Sequence, residues 1–267
     1  MTLCMAWRQD GTVHFASDSR LTVAQNSYAD VGIKICTLPV TIYNPAEEGR
    51  NTTRTIAHQA VLGMCFAGSA VNSLTIKETV TEVLKSLQHV PGYTDISMKG
   101  IASFVFKVYE MISEKVTKTA LGSNGLASIL IGGYCTTQKK VRVFHLNTDT
   151  LFHQSITEVL TDQNYFFIGS GKKQAEDDLP QNPDDSDYLN ILKSIINDVK
   201  FPSVGGNIQY GCFKESGFVV FGMYEFTENV HYWRGALDLN SKEFMDGHET
   251  FVPGLPFIDP FSTIGGI

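Results

Sequence analysis

The sequence contains no hydrophobic run of the roughly 18–20 residues that a membrane-spanning helix needs. It has no block of lysines and arginines, and its net charge of −7 offers no basic surface to a nucleic-acid backbone. The first residues lack the charged segment and hydrophobic stretch of a secretory signal peptide. From these absences we expect a cytoplasmic protein that binds neither membranes nor nucleic acids.

Metal-binding and disulfide patterns are also missing. The five cysteines are odd in number, are scattered singly and form no Cys-x-x-Cys pair. The seven histidines contain no His-x-x-x-His pair, and no glycine-rich loop is suited to phosphate. We therefore expect no metal and no cofactor, and interpret the cysteines as buried thiols. This interpretation includes Cys4, because after removal of Met1 it is the third residue and cannot use its own amine.

What remains is the composition of one folded domain. Of the 267 residues, 43% are hydrophobic and 18% are charged, and no linker rich in proline, serine and glycine divides the chain. Strand-like segments come first, followed by two helical segments, more strands, two helices and final strands. This order predicts two sheets with helices outside each, a four-layer α-β-β-α sandwich of the α+β class.

The clearest local signal is a hairpin at the N-terminus. Two β-prone stretches flank Asp10-Gly11, a pair that favours a tight turn. A two-residue loop places Thr2 opposite Ser19 with Asp18 on the diagonal, and a three-residue loop places Thr2 opposite Asp18. Both registers bring a carboxylate close to Thr2, because cross-strand neighbours lie about 4.5–5.5 Å apart and diagonal ones about 7–8 Å.

Thr2 follows the initiator methionine, and a small second residue normally allows Met1 to be removed. The threonine then carries a free α-amine beside its hydroxyl, so that one residue holds a base and a nucleophile. An α-amine titrates at about 7.7–8.0 and a lysine at about 10.4, so part of the amine is neutral at neutral pH. We predict that Thr2 is a nucleophile whose activity depends on the loss of Met1.

Lys34 lies in the otherwise apolar segment 32–36. The spacing alone fits equally well a strand lysine whose ammonium reaches solvent. A buried Lys34 needs a carboxylate partner, and Asp18 is the candidate. In that arrangement the ammonium lowers the pKa of the Thr2 hydroxyl.

Thr2, Asp18 and Lys34 have an order and spacing that resemble those of the catalytic β subunits of the proteasome and their bacterial ring-forming relatives, the N-terminal-nucleophile (Ntn) hydrolases. Segment 66–70 resembles the family's substrate-cleft segment, segment 132–134 its mid-chain strand end, and segment 168–171 its second catalytic loop. The resemblance covers roughly residues 2–225 and leaves a C-terminal extension, about 226–267, without a counterpart.

The resemblance implies the family's four-layer fold and a threonine-type peptidase or amidohydrolase. It implies that Asp18 and Lys34 set the charge around Thr2 and that the Gly68 N–H binds the oxyanion. Ser170 would support the amine or a water.

The resemblance also implies a substrate cleft. In it Thr22, Gly68 and Ala70 hold the substrate backbone as an added strand, and Leu21 and Phe66 border the pocket for the side chain before the cut. Phe66 equally fits a plain core residue. The implied substrate is a peptide or unfolded protein, the implied assembly is a homo-oligomeric ring or double ring, and an ATPase or other activator is a further expected partner.

One departure from the family concerns the segment 200–206. The family usually places an aspartate and a serine there, just before a paired glycine, to support the nucleophile's amine. Here the glycines are present and the aspartate is not. Ser203 and Asp198 are the available substitutes, each out of register. Two alternatives therefore stay open, a ring-forming scaffold with weak or no activity and an Ntn amidase for a small molecule.

Two other segments carry predictions of their own. Segment 38–58 contains prolines and several charged residues and predicts a long polar loop. Segment 251–261 is apolar and punctuated by prolines, and we expect its own subunit or a neighbouring one to cover it.

Overall fold

A computed structural model describes residues 2–24, 27–45, 54–225, 230–235, 237–238 and 256–259. Two large β-sheets lie face to face, and helices cover the outer face of each. The predicted four-layer α-β-β-α arrangement is confirmed.

The first sheet contains the first and the last described strands of the chain. In spatial order its strands are β11 (Tyr165–Gly169), β1 (Leu3–Gln9), β2 (Thr12–Ser17), β12 (Gln209–Lys214), β13 (Gly217–Glu225), β14 (Val230–Trp233) and β15 (Leu237–Asp238), and β16 (Phe257–Ile258) pairs with β13.

The second sheet is formed by the middle of the chain. Its strands in spatial order are β10 (Gln154–Val159), β9 (Lys140–Thr148), β8 (Ala127–Cys135), β6 (Ile56–Gly68), β5 (Ile35–Tyr43) and β7 (Leu87–Gln88). A separate two-stranded sheet consists of β3 (Leu21–Ala24) and β4 (Ser27–Ala29).

Among the described residues, four α-helices form the outer layers. The second sheet is covered by α1 (Ala70–Leu84) and α2 (Met98–Lys115), and α2 continues into a π-helical turn, Val116–Leu121. The first sheet is covered by α3 (Lys172–Asp177) and α4 (Asp185–Asn197). In the described part of the chain, no helix is long and apolar enough to cross a membrane.

The N-terminal hairpin has the two-residue loop. Gln9 pairs with Thr12, and Asp10 and Gly11 have φ values of 47° and 81°. Positive φ at both loop positions is the geometry of a type I′ turn, which matches the twist of the paired strands. The same register, continued to the start of the chain, sets Thr2 opposite Ser19.

The prediction of a long polar loop over 38–58 was wrong for much of that segment. Residues 38–43 belong to β5, and β6 begins at Ile56. The apolar residues Leu38, Val40 and Ile42 alternate with more polar ones and are buried, which is strand periodicity. Pro39 fits because β7 pairs with β5 only near its end, so much of that edge needs no donor. Residues 46–53 lie outside the described residues.

The described part of the C-terminal segment lies on its own subunit. The Gly222 N–H donates a hydrogen bond to the Pro256 carbonyl at 2.8 Å, and Phe257 and Ile258 pair with β13 in parallel. The rest of the segment, including Phe251 and Phe261, lies outside the described residues.

Candidate active site at the chain start

The Asp18 carboxylate, just after β2, is the centre of the site. Its Oδ1 accepts hydrogen bonds from Lys34 Nζ at 2.9 Å and from the Leu3 N–H at 3.1 Å. Its Oδ2 accepts from the N–H groups of Arg20 and Gly205, each at 3.1 Å. A wholly buried carboxylate is thus matched by four donors, one of them on the residue that follows Thr2.

The Lys34 side chain is buried with its partner. Burial lowers the pKa of the Lys34 ammonium, and the negative charge of Asp18 opposes this shift. The distance of 2.9 Å between Lys34 Nζ and Asp18 Oδ1 shows that the predicted contact is present. The alternative of an ammonium in solvent was wrong, because the Lys34 side chain is buried. A cation held here favours negative charge on nearby groups.

Gln209 in β12 is a part of the site that the sequence analysis missed. Its Oε1 accepts from the Lys34 N–H at 3.0 Å and from the Ile35 N–H at 3.4 Å. Its Nε2 donates to the carbonyls of Asp18 at 3.1 Å and Gly32 at 2.6 Å. The amide therefore joins the backbones of the two charged residues. A glutamine at the start of a mostly apolar strand is the signal that could have revealed it.

Arg20 holds the other side of the Asp18 loop. Its guanidinium binds the Asp30 carboxylate through two parallel hydrogen bonds of 2.7 and 2.8 Å, and it donates a third to the Pro202 carbonyl at 3.1 Å. A bidentate ion pair of this kind fixes the relative orientation of the guanidinium and the carboxylate as well as pairing their charges. It ties the loop after β2 to the segment that carries Gly205.

Thr2 lies where β1 meets β11. Its carbonyl accepts a hydrogen bond from the Ser170 N–H at 2.9 Å. A Cβ added to Gly169, which has a φ of 102°, would lie 1.8 Å from that carbonyl oxygen. Only glycine fits there, so Gly169 allows Thr2 and Ser170 to come together.

The Ser170 hydroxyl has a partner in the segment where the family's aspartate is missing. Ser170 Oγ lies 3.3 Å from Ser203 Oγ. Asp198 instead accepts from the Lys200 N–H at 2.9 Å within its own turn. Of the two substitutes named from the sequence, Ser203 is the one that contacts Ser170.

Gly68 ends β6 with a φ of +93°, and a Cβ there would lie 2.4 Å from the Leu126 carbonyl oxygen. The next residue, Ser69, donates its N–H to that oxygen at 2.8 Å and caps α1 by accepting from the Asn72 N–H. This glycine turn lets the strand pass into the helix with exposed backbone at Gly68.

A pocket of about 280 Å³ joins several of these elements. It is lined by Thr2, Ala67, Gly68, Leu126, Ala127, Ser128, Asn147, Thr148, Gly169 and Ser170. Three predicted site residues thus share one pocket, while Asp18 and Lys34 are buried and are not among the described residues that line it. The polar residues from β8 and β9 were not anticipated from sequence.

The predicted substrate-binding residues lie elsewhere. Leu21 and Thr22 are on β3, and Ala70 is the first residue of α1. Phe66 is only 1% exposed and belongs to the core between the second sheet and its helices. None of these four lines the 280 Å³ pocket in the described part of the chain, and their role in a substrate cleft stays a prediction.

All five cysteines are buried, as predicted. The Cys4 thiol donates to the Phe66 carbonyl at 2.8 Å and lies 3.1 Å from Ser17 Oγ, so it connects the two sheets. The described residues contain no group of histidine, cysteine and carboxylate side chains able to hold a metal ion.

The chain resembles known proteins in its fold. No family model and no curated protein matches the sequence. Among solved structures, Anbu (ancestral beta-subunit) from Yersinia bercovieri has a TM-score of 0.58 at 18% identity, covering 82% of this chain and 86% of its own.

Two other Anbu structures are similar. The helical assembly of the Anbu complex from Pseudomonas aeruginosa gives a TM-score of 0.57 at 16% identity, covering 91% of this chain and 90% of its own. An Anbu mutant from Hyphomicrobium sp. strain MC1 gives 0.55 at 16% identity, covering 92% and 91%. Together with the four-layer architecture, these similarities show that the chain has the fold of the proteasome-like Ntn hydrolases.

Proposed function

We propose that this chain is a threonine-type peptidase whose nucleophile is Thr2 after removal of Met1. One observation carries the proposal. The Asp18 carboxylate binds both the buried Lys34 ammonium and the N–H of Leu3, the residue after Thr2. A buried ion pair of this kind is costly to maintain, and its position beside an alcohol with a potential free amine gives it a chemical use.

The reaction follows from a free Thr2. The Thr2 hydroxyl oxygen attacks the amide carbon, its proton passes to the α-amine, and the carbonyl electron pair moves onto oxygen. The Gly68 N–H stabilises this oxyanion. When the C–N bond breaks, the protonated amine gives its proton to the leaving nitrogen, and an ester remains on Thr2.

Water then hydrolyses the ester by the reverse proton path. The amine takes a proton from the water as the oxygen attacks the ester carbon. The bond between that carbon and the Thr2 oxygen breaks, and the alcohol regains its proton. The Lys34 ammonium favours the negative charge on the Thr2 oxygen in both steps, and the paired hydroxyls of Ser170 and Ser203 supply polar contacts to the amine or the water.

The substrate and assembly are also proposals. We infer that the substrate is a peptide or unfolded protein and that the chain works in a homo-oligomer in the cytoplasm. The Anbu complex from Pseudomonas aeruginosa is described as a helical assembly, which supports self-association of this fold. A ring or double ring and an ATPase or other activator remain expectations.

The missing aspartate in segment 200–206 supports a second candidate. With Ser203 as the only described contact to the Ser170 hydroxyl, the amine lacks a negative partner there, and a weakly active or inactive scaffold would keep the same architecture. Hydrolysis of a small-molecule amide is the third candidate, since the same nucleophile can attack the amide bond of a peptide or of a small molecule.

The deciding experiment combines intact mass with covalent labelling. The full chain is measured for loss of Met1 and then treated with a peptide boronate or epoxyketone. We expect labelling of the wild type and of Thr2→Ser, and none of Thr2→Ala with its fold intact. Equal labelling of wild type and Thr2→Ala would overturn the proposal. Retained Met1 without labelling favours the scaffold.

A further inference from the structure

The pocket at Thr2 has a second wall that the proposed reaction does not use. Ser128 and Asn147 pair across β8 and β9, and Thr148 follows. The Thr148 hydroxyl is bonded to Tyr109 Oη at 2.7 Å, and Ser128 Oγ lies 2.6 Å from His145 Nε2. Among the described residues, the side-chain amide of Asn147 has no hydrogen-bond partner.

Ser128 and Asn147 give this wall two uncharged polar side chains, within a pocket whose surface is otherwise mostly apolar. Burial lowers the pKa of His145 to about 4, and the positive charge of Lys172 acts in the same direction, so the imidazole is neutral at neutral pH. If Nε2 donates, Ser128 keeps its own O–H for a ligand. If Nε2 accepts, Ser128 keeps lone pairs. None of the described residues that line the pocket carries a charged side chain.

The position of the wall indicates which part of a substrate reaches it. The pocket contains Thr2 and Gly68, where the amide would be cut, but not Thr22 or Ala70, which are predicted to hold the chain before the cut. Resting on the proposed function, we propose that this pocket receives the residue on the leaving side of the scissile amide and selects an uncharged polar side chain.

The selection follows from the cost of unmade hydrogen bonds. An apolar side chain in the pocket would cover Ser128 and Asn147 without satisfying them. A charged one would lose hydration without gaining an opposite charge. Sites built to hydrogen-bond a substrate group reject analogues that lack it more strongly than apolar pockets reject a small change in size.

The leaving group is absent from the ester on Thr2, so hydrolysis of that ester cannot report on the pocket. An added amine can. Its nitrogen forms a C–N bond with the ester carbon, the bond to the Thr2 oxygen breaks, and that oxygen takes a proton from the amine. This is the reverse of cleavage, and the competing amine occupies the leaving-side pocket.

The test measures how the acyl-enzyme divides between added serinamide and alaninamide. For the full chain with Met1 removed, we expect serinamide capture to exceed alaninamide capture by about tenfold, the ratio that one hydrogen bond of about 1.4 kcal/mol gives. Ser128→Ala and, separately, Asn147→Ala bring the ratio towards one. Ser194→Ala, an exposed change on α4, keeps the wild-type ratio.

Two failures are distinguishable by mass spectrometry. If no acyl group is found on Thr2, the proposed function fails and this inference fails with it. If the acyl group is on Thr2 but wild type shows no preference, or both pocket variants keep the wild-type ratio, only the leaving-side assignment is overturned. Because the ratio compares two amines on one variant, a partial loss of folded protein does not alter it.

Discussion

Lys34 Nζ lies 2.9 Å from Asp18 Oδ1, and neither side chain is more than 1% exposed. Replacing such a pair by apolar residues of similar volume is often neutral or stabilising, whereas removing one partner leaves an uncompensated buried charge. The pair is therefore weak evidence for stability and stronger evidence for chemistry. Three backbone N–H groups that donate to Asp18, together with the Gln209 amide, hold the pair in one geometry beside the chain start.

The first prediction separates these two roles by a double-mutant cycle. Lys34→Met should lower the free energy of unfolding by about 3–5 kcal/mol, because it leaves the buried Asp18 carboxylate without an opposite charge. Asp18→Asn together with Lys34→Met should cost less than the sum of the two single changes. Urea denaturation gives the stabilities, and additive losses would contradict the coupling. None of the three variants should retain activity.

The second prediction concerns Gln209. Gln209→Leu keeps a similar volume but leaves the Lys34 N–H and the Gly32 carbonyl without their partner. Each unsatisfied buried group costs about 1–3 kcal/mol, so we expect a clear loss of stability measured by denaturation. Gln209→Glu retains the acceptor but adds a charge beside Asp18. It should impair labelling of Thr2 even under conditions in which it is folded.

Much of the fold was predictable because it depends on local patterns. The Asp10-Gly11 turn set the hairpin register, and that register alone brought Asp18 towards Thr2. The prediction for segment 38–58 was wrong because its prolines and charges are typical of a loop, whereas the alternation of Leu38, Val40 and Ile42 is that of a strand.

The remainder of the site depends on contacts between distant segments. Gln209 reaches Asp18 only because β12 pairs with β2, a relationship across 191 residues. Ser128 and Asn147 reach the pocket only because the second sheet packs against the first. Neither Ser128 nor Asn147 lies in a recognisable motif, so the sequence alone could not assign them to the pocket.

The third prediction compares Gly11 and Gly169, which both have a positive φ. Gly11 has open space around an added Cβ, so Gly11→Ala should cost about 1–2 kcal/mol from backbone strain alone. Gly169→Ala adds a clash with the Thr2 carbonyl and should cost more, with loss of electrophile labelling. Thermal unfolding and labelling measured on both variants provide the check. Similar behaviour of the two would show that Gly169 does not position Thr2.

The fourth prediction is a loss of stability in acid through His14. This histidine is buried beside Trp7, with Nδ1 2.7 Å from Tyr210 Oη and Nε2 3.7 Å from Asp185. Burial lowers its pKa to about 4, Asp185 opposes that shift, and Lys214 adds to it. At neutral pH the imidazole is therefore neutral, and its contact with Asp185 is not an ion pair.

The sign follows from the lowered pKa of the folded state. The unfolded chain takes up a proton at His14 near pH 6.5, while the folded chain resists until about pH 4, so stability is lost between those values. The loss attributable to His14 is on the order of 3 kcal/mol. His14→Asn should shrink this acid-dependent loss in denaturation curves, and it should do so more than the exposed His153→Asn, which removes only the contact with Asp149. An unaltered pH slope in His14→Asn would rule out its role.

The last prediction concerns the C-terminal segment. The Phe257 ring packs against Gly222 of β13 and lies 6.2 Å from the Trp233 ring, within the same subunit. Since the ring is half-buried, Phe257→Ala should lower the free energy of unfolding by about 1–2 kcal/mol. Tyr93→Ala, which truncates an aromatic ring that is 91% exposed, should change it by less than about 0.5 kcal/mol.

Light scattering distinguishes docking on its own subunit from docking on a neighbour. Because Phe257 contacts its own β13, Phe257→Ala should leave the mass in solution unchanged while stability falls. A fall in mass without the expected loss of stability would mean that this residue covers a neighbouring subunit instead. A fall in both the mass in solution and the stability would mean that assembly needs the pairing of Phe257–Ile258 with β13. In that case the lost contact within the subunit would weaken the assembly indirectly.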